Sequence, residues 1–226
     1  MATSVIFEDM VEIPLDIRSL ADFRRWALSE AFPERGRIDF VAGKIEVDMS
    51  PEEVFCHGTL KVMVASRLFT RIERKDLGYL LTDRTRVSCP AVDLSVEPDI
   101  VFLSHEAIDS GRVRLVPKAS GEPGRYVEVE GPPDLIVEIV SDSSVTKDTQ
   151  RLPAAYAAAG VREFWLADAR REPLRFEIHH LAGGAFSKAE PDAEGFLKSE
   201  VFGCRFRLDA ERDARGHWKF DLIERE

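Results

Sequence analysis

Apolar and polar residues change their period several times along this chain, and each change marks an element. Residues 135–140 read Leu-Ile-Val-Glu-Ile-Val, an apolar run between Gly-Pro-Pro and a Ser-rich stretch, which predicts a buried strand. One carboxylate, Glu138, sits inside that run. A polar loop over 141–149, a short Ala-rich helix closing on Gly160 and a second buried strand over 163–167 follow. Upstream, Leu60, Val64, Leu68 and Ile72 recur at helical spacing and predict a long amphipathic helix. Pro51, Glu52 and Glu53 open it in an order that suits the positive helix end.

Period-two alternation marks the strands. Ile38, Phe40, Ile45 and Val47 alternate around Ala42-Gly43 and predict a hairpin over 37–48. Ser19, with Asp22 three residues on, predicts the N-cap of a helix that carries Phe23, Trp26 and Ala27 on one face and stops at Pro33. Residues 4–15 alternate weakly as far as Pro14, as an edge strand or an arm. Residues 79–81 and 84–88 predict another pair of strands, and 97–103 a short buried strand with an acidic entrance. Residues 105–125 predict a loop with one helical turn, and 126–129 a strand. Beyond Asp168, short strands around Phe176 and Ile178, 185–187, 196–201, and Phe206 and Leu208 predict a meander that covers or extends the sheet. Strands flank helices throughout, with no internal repeat and no linker. The pattern points to one mixed α/β or α+β domain over residues 1–226.

Composition narrows the class. With 44% hydrophobic and 32% charged residues, the 226-residue chain has the make-up of a soluble globular protein. No apolar run approaches membrane-spanning length, and the first residues are acidic where a signal peptide would be basic, so a cytoplasmic protein is expected. Cys56, Cys89 and Cys204 are far apart and form no CxxC pair, which argues against a thiolate zinc site or a disulfide framework. The net charge of −10 argues against nucleic-acid binding by the whole surface but leaves room for a local basic groove. Arg67, Arg71 and Arg74, with Arg84 and Arg86 downstream, are the candidate phosphate contacts; the alternative is a solvated face complementing the helix dipole.

Candidate chemistry centres on Asp99 and Glu138, each on a short apolar strand. Two carboxylates on neighbouring strands, ~4–6 Å apart, would raise one another's pKa unless a cation held them. Magnesium prefers oxygen ligands and keeps several waters, so two carboxylates and a backbone carbonyl suffice to hold it. The competing explanation is a pair of structural carboxylates, each salt-bridged to a nearby arginine.

The whole chain resembles the Uma-two family of endonucleases, within the PD-(D/E)XK, or restriction-endonuclease-like, superfamily. The resemblance covers roughly residues 20–210. It is carried by RIDFVAGKIEVDMSP followed by His57, by EPDIVF and PPDLIVEIVSDSS, by KDTQRLPAAYAAAGVREFWLAD, and by GFLKSEVFGCRFRL. It implies a restriction-endonuclease-like core, a central mixed β-sheet flanked by helices, with extra antiparallel strands at the N-terminal hairpin and the C-terminal meander. By the same resemblance Asp99 is the metal-binding aspartate, Glu138 the (D/E) of the (D/E)XK element, and the carbonyl of Ile139 a further ligand to Mg2+ or Mn2+. Asp39 stands where the family has a glutamate and takes an outer-shell or a second-metal place, and His57, which matches the family's histidine before the long helix, an outer-shell one. Asp134 lies four residues before Glu138 on the same strand, ~13 Å away, too far to share an ion.

The sequence departs from the pattern at the lysine. The position two after Glu138 is Val140, and the displaced position four before Tyr156 is Leu152. Lys147 and Arg151 are the substitutes, with Lys147 favoured because arginine stays protonated and cannot act as a base. Pro153 predicts that the helix begins at itself and leaves both cations on a loop. Two functions follow: a metal-dependent endonuclease acting on DNA, or a catalytically inactive nuclease-fold module that binds nucleic acid or a protein partner. The second would act as a homodimer, with the apolar meander over 174–208 as a dimer surface or, alternatively, as core.

Overall fold

The computed structural model describes residues 4–7 and 11–226. Strands β1 (Ser4–Phe7) and β2 (Val11–Pro14) pair antiparallel where an edge strand or arm was expected, with residues 8–10 outside the described ones. Helix α1 (Leu20–Ala27) starts where Ser19 Oγ accepts the Asp22 N–H at 3.2 Å and donates to the Asp22 carboxylate at 2.7 Å. It stops short of Pro33, capped at Leu28. Strands β3 (Arg37–Val41) and β4 (Lys44–Asp48) form the expected hairpin. Ala42 (φ 49°) and Gly43 (φ 76°) take the left-handed conformation that a two-residue hairpin turn needs.

The long helix opens later than Pro51 predicts. Residues Val54–Thr59 make a wide π-helical turn, and α2 runs from Leu60–Lys75. Its apolar stripe is fully buried, from Leu60 to Ile72. At about 1.5–3 kcal/mol per buried side chain, that stripe outweighs intrinsic propensity in holding the helix.

The remaining elements, joined by β3 and β4, make two six-stranded sheets and one of three strands. These are β5 (Gly78–Thr82), β6 (Arg86–Cys89), β7 (Leu94–Val96), β8 (Ile100–Ser104), α3 (His105–Asp109), β9 (Arg114–Pro117) and β10 (Tyr126–Glu130). Then come β11 (Leu135–Ile139), α4 (Leu152–Ala159), β12 (Glu163–Asp168), β13 (Arg175–Ala182) and β14 (Ala185–Lys188). Last are β15 (Leu197–Ser199), β16 (Cys204–Arg212) and β17 (Trp218–Arg225). One sheet has the order β4-β3-β7-β6-β10-β9, the other β14-β13-β12-β11-β8-β5. Each holds one parallel pair, β6 with β10 and β11 with β12. The two strands expected over 79–81 and 84–88 both form and fall in different sheets. Asp83 and Arg84, both at positive φ, turn the chain away after β5.

The second sheet is covered on both faces. Leu135, Val137 and Ile139 join the stripe of α2, and Ile136 and Val140 join Leu152 and Tyr156 of α4 and the inner residues of the first sheet. The meander divides: β13 and β14 extend the sheet past β12, and β15, β16 and β17 make a three-stranded sheet against α2. Ile178, Phe202, Phe206 and Leu208 are buried around Trp165, so these side chains are core and not a free dimer surface. No helix among the described residues is long and apolar enough to cross a membrane.

Candidate active site

Strand alternation sets the direction of Glu138. Its neighbours Val137 and Ile139 face α2, so Glu138 points the other way, between the two large sheets and toward α4. Strand β8 lies antiparallel to β11 with Val137 opposite Ile100. Continuing that register by one residue sets Glu138 opposite Asp99. The Ile139 N–H donates to Asp99 Oδ2 at 2.7 Å and ties the two positions together. Both carboxylates are buried.

Glu138 is held on both oxygens. Tyr156 donates its hydroxyl to Oε1 at 2.5 Å, and Arg37 Nη2 lies 3.3 Å from Oε2. Arg37 also faces Asp39, with Nε 3.3 Å from Oδ2, although Nε makes no hydrogen bond there. Asp39 accepts from Lys147 Nζ at 3.1 Å and from the Glu97 N–H at 3.0 Å. Asp148 accepts from Ser144 Oγ, and its other oxygen, Oδ1, is buried with no partner.

This crowding separates the two facing carboxyls. Burial pushes Glu138 up to about 8; Asp148 and Asp99 add to the shift, while Arg37 and Tyr156 oppose it. Burial likewise raises Asp148 to about 6. Burial also works against an ionised Asp99, but His57, Arg37 and the Ile139 N–H outweigh it and hold that carboxyl below its usual range. For Arg37 the carboxylates of Glu138, Asp39 and Asp99 overcome burial and raise its pKa well above the ordinary value.

Asp99 also opens toward a cleft of about 270 Å³, where Arg37, Asp48, Glu52, His57 and Arg84 line the wall. His57 Nε2 lies 3.5 Å from Asp99 Oδ2. Burial lowers the imidazole pKa, yet Asp99 and Glu52 outweigh it and the net shift is upward. A second cleft, of about 520 Å³, is lined by Arg37, Ser50, Ser143, Lys147 and Arg151.

The structure brings together Asp99, Glu138, Ile139, Asp39, His57 and Lys147. It does not leave Lys147 and Arg151 on a loop: Lys147–Arg151 is a π-helical turn that runs into α4, with Leu152 in helical geometry. The Leu152 N–H already bonds to the Lys147 carbonyl, so Pro153 lies inside a continuous helical segment, where the wide turn passes into α4. A proline within a helix goes with such a local break in the regular ladder. Arg151 is exposed and paired with Glu46. Of the candidate phosphate contacts, Arg71 is buried on the Phe202 carbonyl and Glu224, and Arg86 on the Ile38 carbonyl and Glu97. Neither guanidinium is free to meet a phosphate. Arg67 pairs with Asp221, and Arg74 is exposed beside it on the α2 face turned to β17. Arg84 alone of the five lines the cleft with Asp99.

Arg37, Asp148 and Glu52 were missed. Arg37 had a signal: it sits two residues from Asp39 on a strand and so shares its face. Asp148 had none, because a carboxylate in a Ser/Thr-rich segment reads as loop until the wide turn buries it.

The fold is an α+β nuclease fold. It is shared with the crystal structure of a "putative nuclease belonging to DUF820" from Anabaena variabilis, at TM-score 0.55 and 18% identity over 82% of this chain and 90% of that one. The family described as "Uma2: Putative restriction endonuclease" matches residues 20–211, and the chain belongs to it. No curated protein matches the chain.

The donor set fits a divalent ion. Two buried carboxylates face each other beside a third, Asp148, with an orphaned oxygen, and Glu138 is pushed up to about 8 although Arg37 touches it. Burial is the main cause of that shift, and Asp148 and Asp99 add to it.

Proposed function

We propose that the chain is a metal-dependent endonuclease, a single nuclease domain that hydrolyses phosphodiester bonds of DNA. Asp99, Glu138 and the carbonyl of Ile139 would hold Mg2+ or Mn2+. The observation that carries this reading is the buried pair of Asp99, at the entry of β8, and Glu138 on β11, opposite in register and tied together by the Ile139 N–H. A bound ion would lower the pKa of a water and offset charge developing on the scissile phosphate. The chain's own groups do the positioning. Tyr156 fixes the Glu138 carboxyl, and the Ile139 N–H fixes Asp99. Lys147, held by Asp39 at the wall of the second cleft, is the cation available to steady the attacking water and the phosphate. Arg37 and Arg151 line the same cleft beside Glu46 and Asp48, and are the further cations there that would meet a backbone phosphate. The test is cleavage of supercoiled DNA with Mg2+ or Mn2+. Nicking should vanish in Asp99→Ala and Glu138→Ala while circular dichroism is unchanged. No cleavage by the parent protein with either ion would overturn the reading.

One observation favours an inactive binding module instead. Val140 and Leu152 are buried and apolar, and Lys147 and Arg151 are ion-paired to Asp39 and Glu46. On that reading calorimetry finds no divalent ion bound at millimolar concentration, and the fold serves to bind nucleic acid or a protein, a second copy of the chain included.

A further inference from the structure

An apolar groove opens beside the Asp99 cleft. It has a volume of about 710 Å³ and runs between β5 and β10, with Tyr79, Leu81, Leu115, Tyr126 and Val127 in its wall. Strand alternation builds it. Leu80 turns to the core under α2 and Leu81 to the core between the large sheets, so Tyr79 shares the face of Leu81. Across the groove the β9–β10 ladder shifts register between Tyr126 and Glu128, and Tyr126 and Val127 both line the wall. Two of the chain's three tyrosines therefore meet here. Tyr79, Tyr126 and Val127 are 52%, 53% and 42% exposed. Apolar surface gathered in one concave place marks an interaction site.

Arg84 indicates what the groove accepts. It lines both this groove and the cleft that Asp99 faces, so the two are continuous. Thr82 at the end of β5 pairs with Ile100, the residue after Asp99, and Tyr79 lies three residues, ~10 Å, farther along the strand. Asp83 (φ 26°) and Arg84 (φ 59°) hold the left-handed conformation, which costs non-glycine residues and recurs at ligand clamps. The Arg84 guanidinium donates to the Glu34 carbonyl and makes no ion pair among the described residues. Neighbouring carboxylates are already matched: Asp83 by Lys61 at 2.7 Å, and Glu128 by Arg24 at 2.8 and 2.9 Å. The groove thus offers one uncompensated positive charge at its mouth and an aromatic, apolar wall behind it. A nucleotide presents its phosphate and its base in the same order, whereas an apolar peptide has no use for the charge.

We propose that this groove takes the unpaired bases of a nucleic-acid strand whose phosphate meets Arg84, stacking them on Tyr79 and Tyr126. The proposal rests on the reading of the Asp99 cleft as a nuclease centre and names its substrate class. That class is a strand with unpaired bases next to the cleaved phosphate, as in single strands and underwound DNA. Every base has a π face, so such a wall binds without reading sequence.

The test uses full-length protein in Ca2+ at low ionic strength and two fluorescently labelled single strands of equal length. One is DNA, and the other consists of abasic units with the same phosphates. Anisotropy is expected to show the DNA strand binding about a hundredfold tighter, about tenfold for each stacked base. Tyr79→Ala and Tyr126→Ala, at half-exposed side chains, each lower that affinity about tenfold and leave both the abasic strand and Tm unchanged. Tyr79→Phe keeps the affinity, because the ring stacks without its hydroxyl. Arg84→Gln weakens both strands alike and lowers the slope of log affinity against log salt by about 0.7. Equal binding of the two strands, an alanine effect that extends to the abasic strand, or a Tyr79→Leu variant that binds as well as the parent overturns the proposal. So does a dimer in light scattering that the alanine variants dissociate, since a second copy would then fill the groove. Equal binding of the two strands leaves the endonuclease reading intact. Base-dependent binding that is lost in Tyr79→Ala, with no cleavage in Mg2+ or Mn2+, overturns that reading and leaves the groove standing as a binding site.

Discussion

Tyr156 on α4 donates its hydroxyl to Glu138 Oε1 at 2.5 Å, so the helix is anchored to the one charged residue of β11. Tyr156→Phe keeps the ring packed against Phe164, 5.8 Å away between centroids, and removes only the donor. Leaving a buried carboxyl oxygen without its partner should cost about 1–3 kcal/mol. Denaturant titration reads this directly, and an unchanged midpoint would mean that the bond contributes nothing to the fold.

Stability without metal should fall as pH rises from about 4.5 to about 8. Glu138 binds its proton more tightly folded, at about 8, than its ordinary 4.5, so the folded state holds the extra proton and loses that advantage as pH climbs through the folded value. Asp148, raised to about 6 from 3.8, contributes in the same direction lower in the window. His57, raised from 6.5, adds to it above neutrality. Carboxylates that are held low, such as Glu177 at about 2, act only below pH 4.5 and do not blur the trend. Chemical denaturation at several pH values in chelator should show the slope, and Glu138→Gln should flatten most of it. A slope equal in parent and variant would locate its source elsewhere.

Arg37 is the cation nearest Glu138, and its removal leaves Glu138 Oε2 without a partner, while Asp39 keeps Lys147 and the Glu97 N–H. Arg37→Met should destabilise the protein in chelator by about 1–3 kcal/mol, the usual result of leaving a buried polar atom unsatisfied. Saturating Mg2+ or Mn2+ should restore part of the loss, because an ion bound only by the folded state adds about 2.7 kcal/mol at a hundredfold excess over its Kd. Calorimetric Tm with and without metal separates the two terms. Rescue that is no larger in the variant than in the parent would argue against an ion beside Arg37.

Lys147 and Arg151 should not be equivalent. Lys147 is buried and fixed by Asp39, whereas Arg151 is exposed and paired with Glu46. In the cleavage assay Lys147→Met is expected to lose about a hundredfold in rate, the scale of removing one fixed charge-stabilising donor. Arg151→Met should lose only about threefold, since an exposed ion pair contributes little. Equal losses would mean that the cleft wall, and not Lys147, supplies the charge.

Much of this protein was legible in its sequence because local rules govern those parts. The Ser19–Asp22 cap, the Ala42-Gly43 turn and the buried stripe of α2 depend on residues a few positions apart, and the structure keeps all three. The apolar runs around Ile100 and Ile136 specified buried strands in the same way. Boundaries yielded wherever a wide helical turn intervened, as at Val54–Thr59 and Lys147–Arg151, since such turns leave no periodicity to read. Strands β9 and β17 were also hidden; their charged, weakly alternating residues become strands only by pairing with β10 and β16.

The sequence by itself determined the family, the strand that carries Glu138 and the residue types that a cation would need. Only the tertiary structure decided their neighbours. Antiparallel pairing of β8 with β11 set Asp99 across from Glu138, and closure of the first sheet over α4 brought in Arg37, Asp39 and Lys147. Glu52 and His57 reached Asp99 by packing alone. Charge–charge interaction depends on separation in space and on burial, and neither is a function of position along the chain.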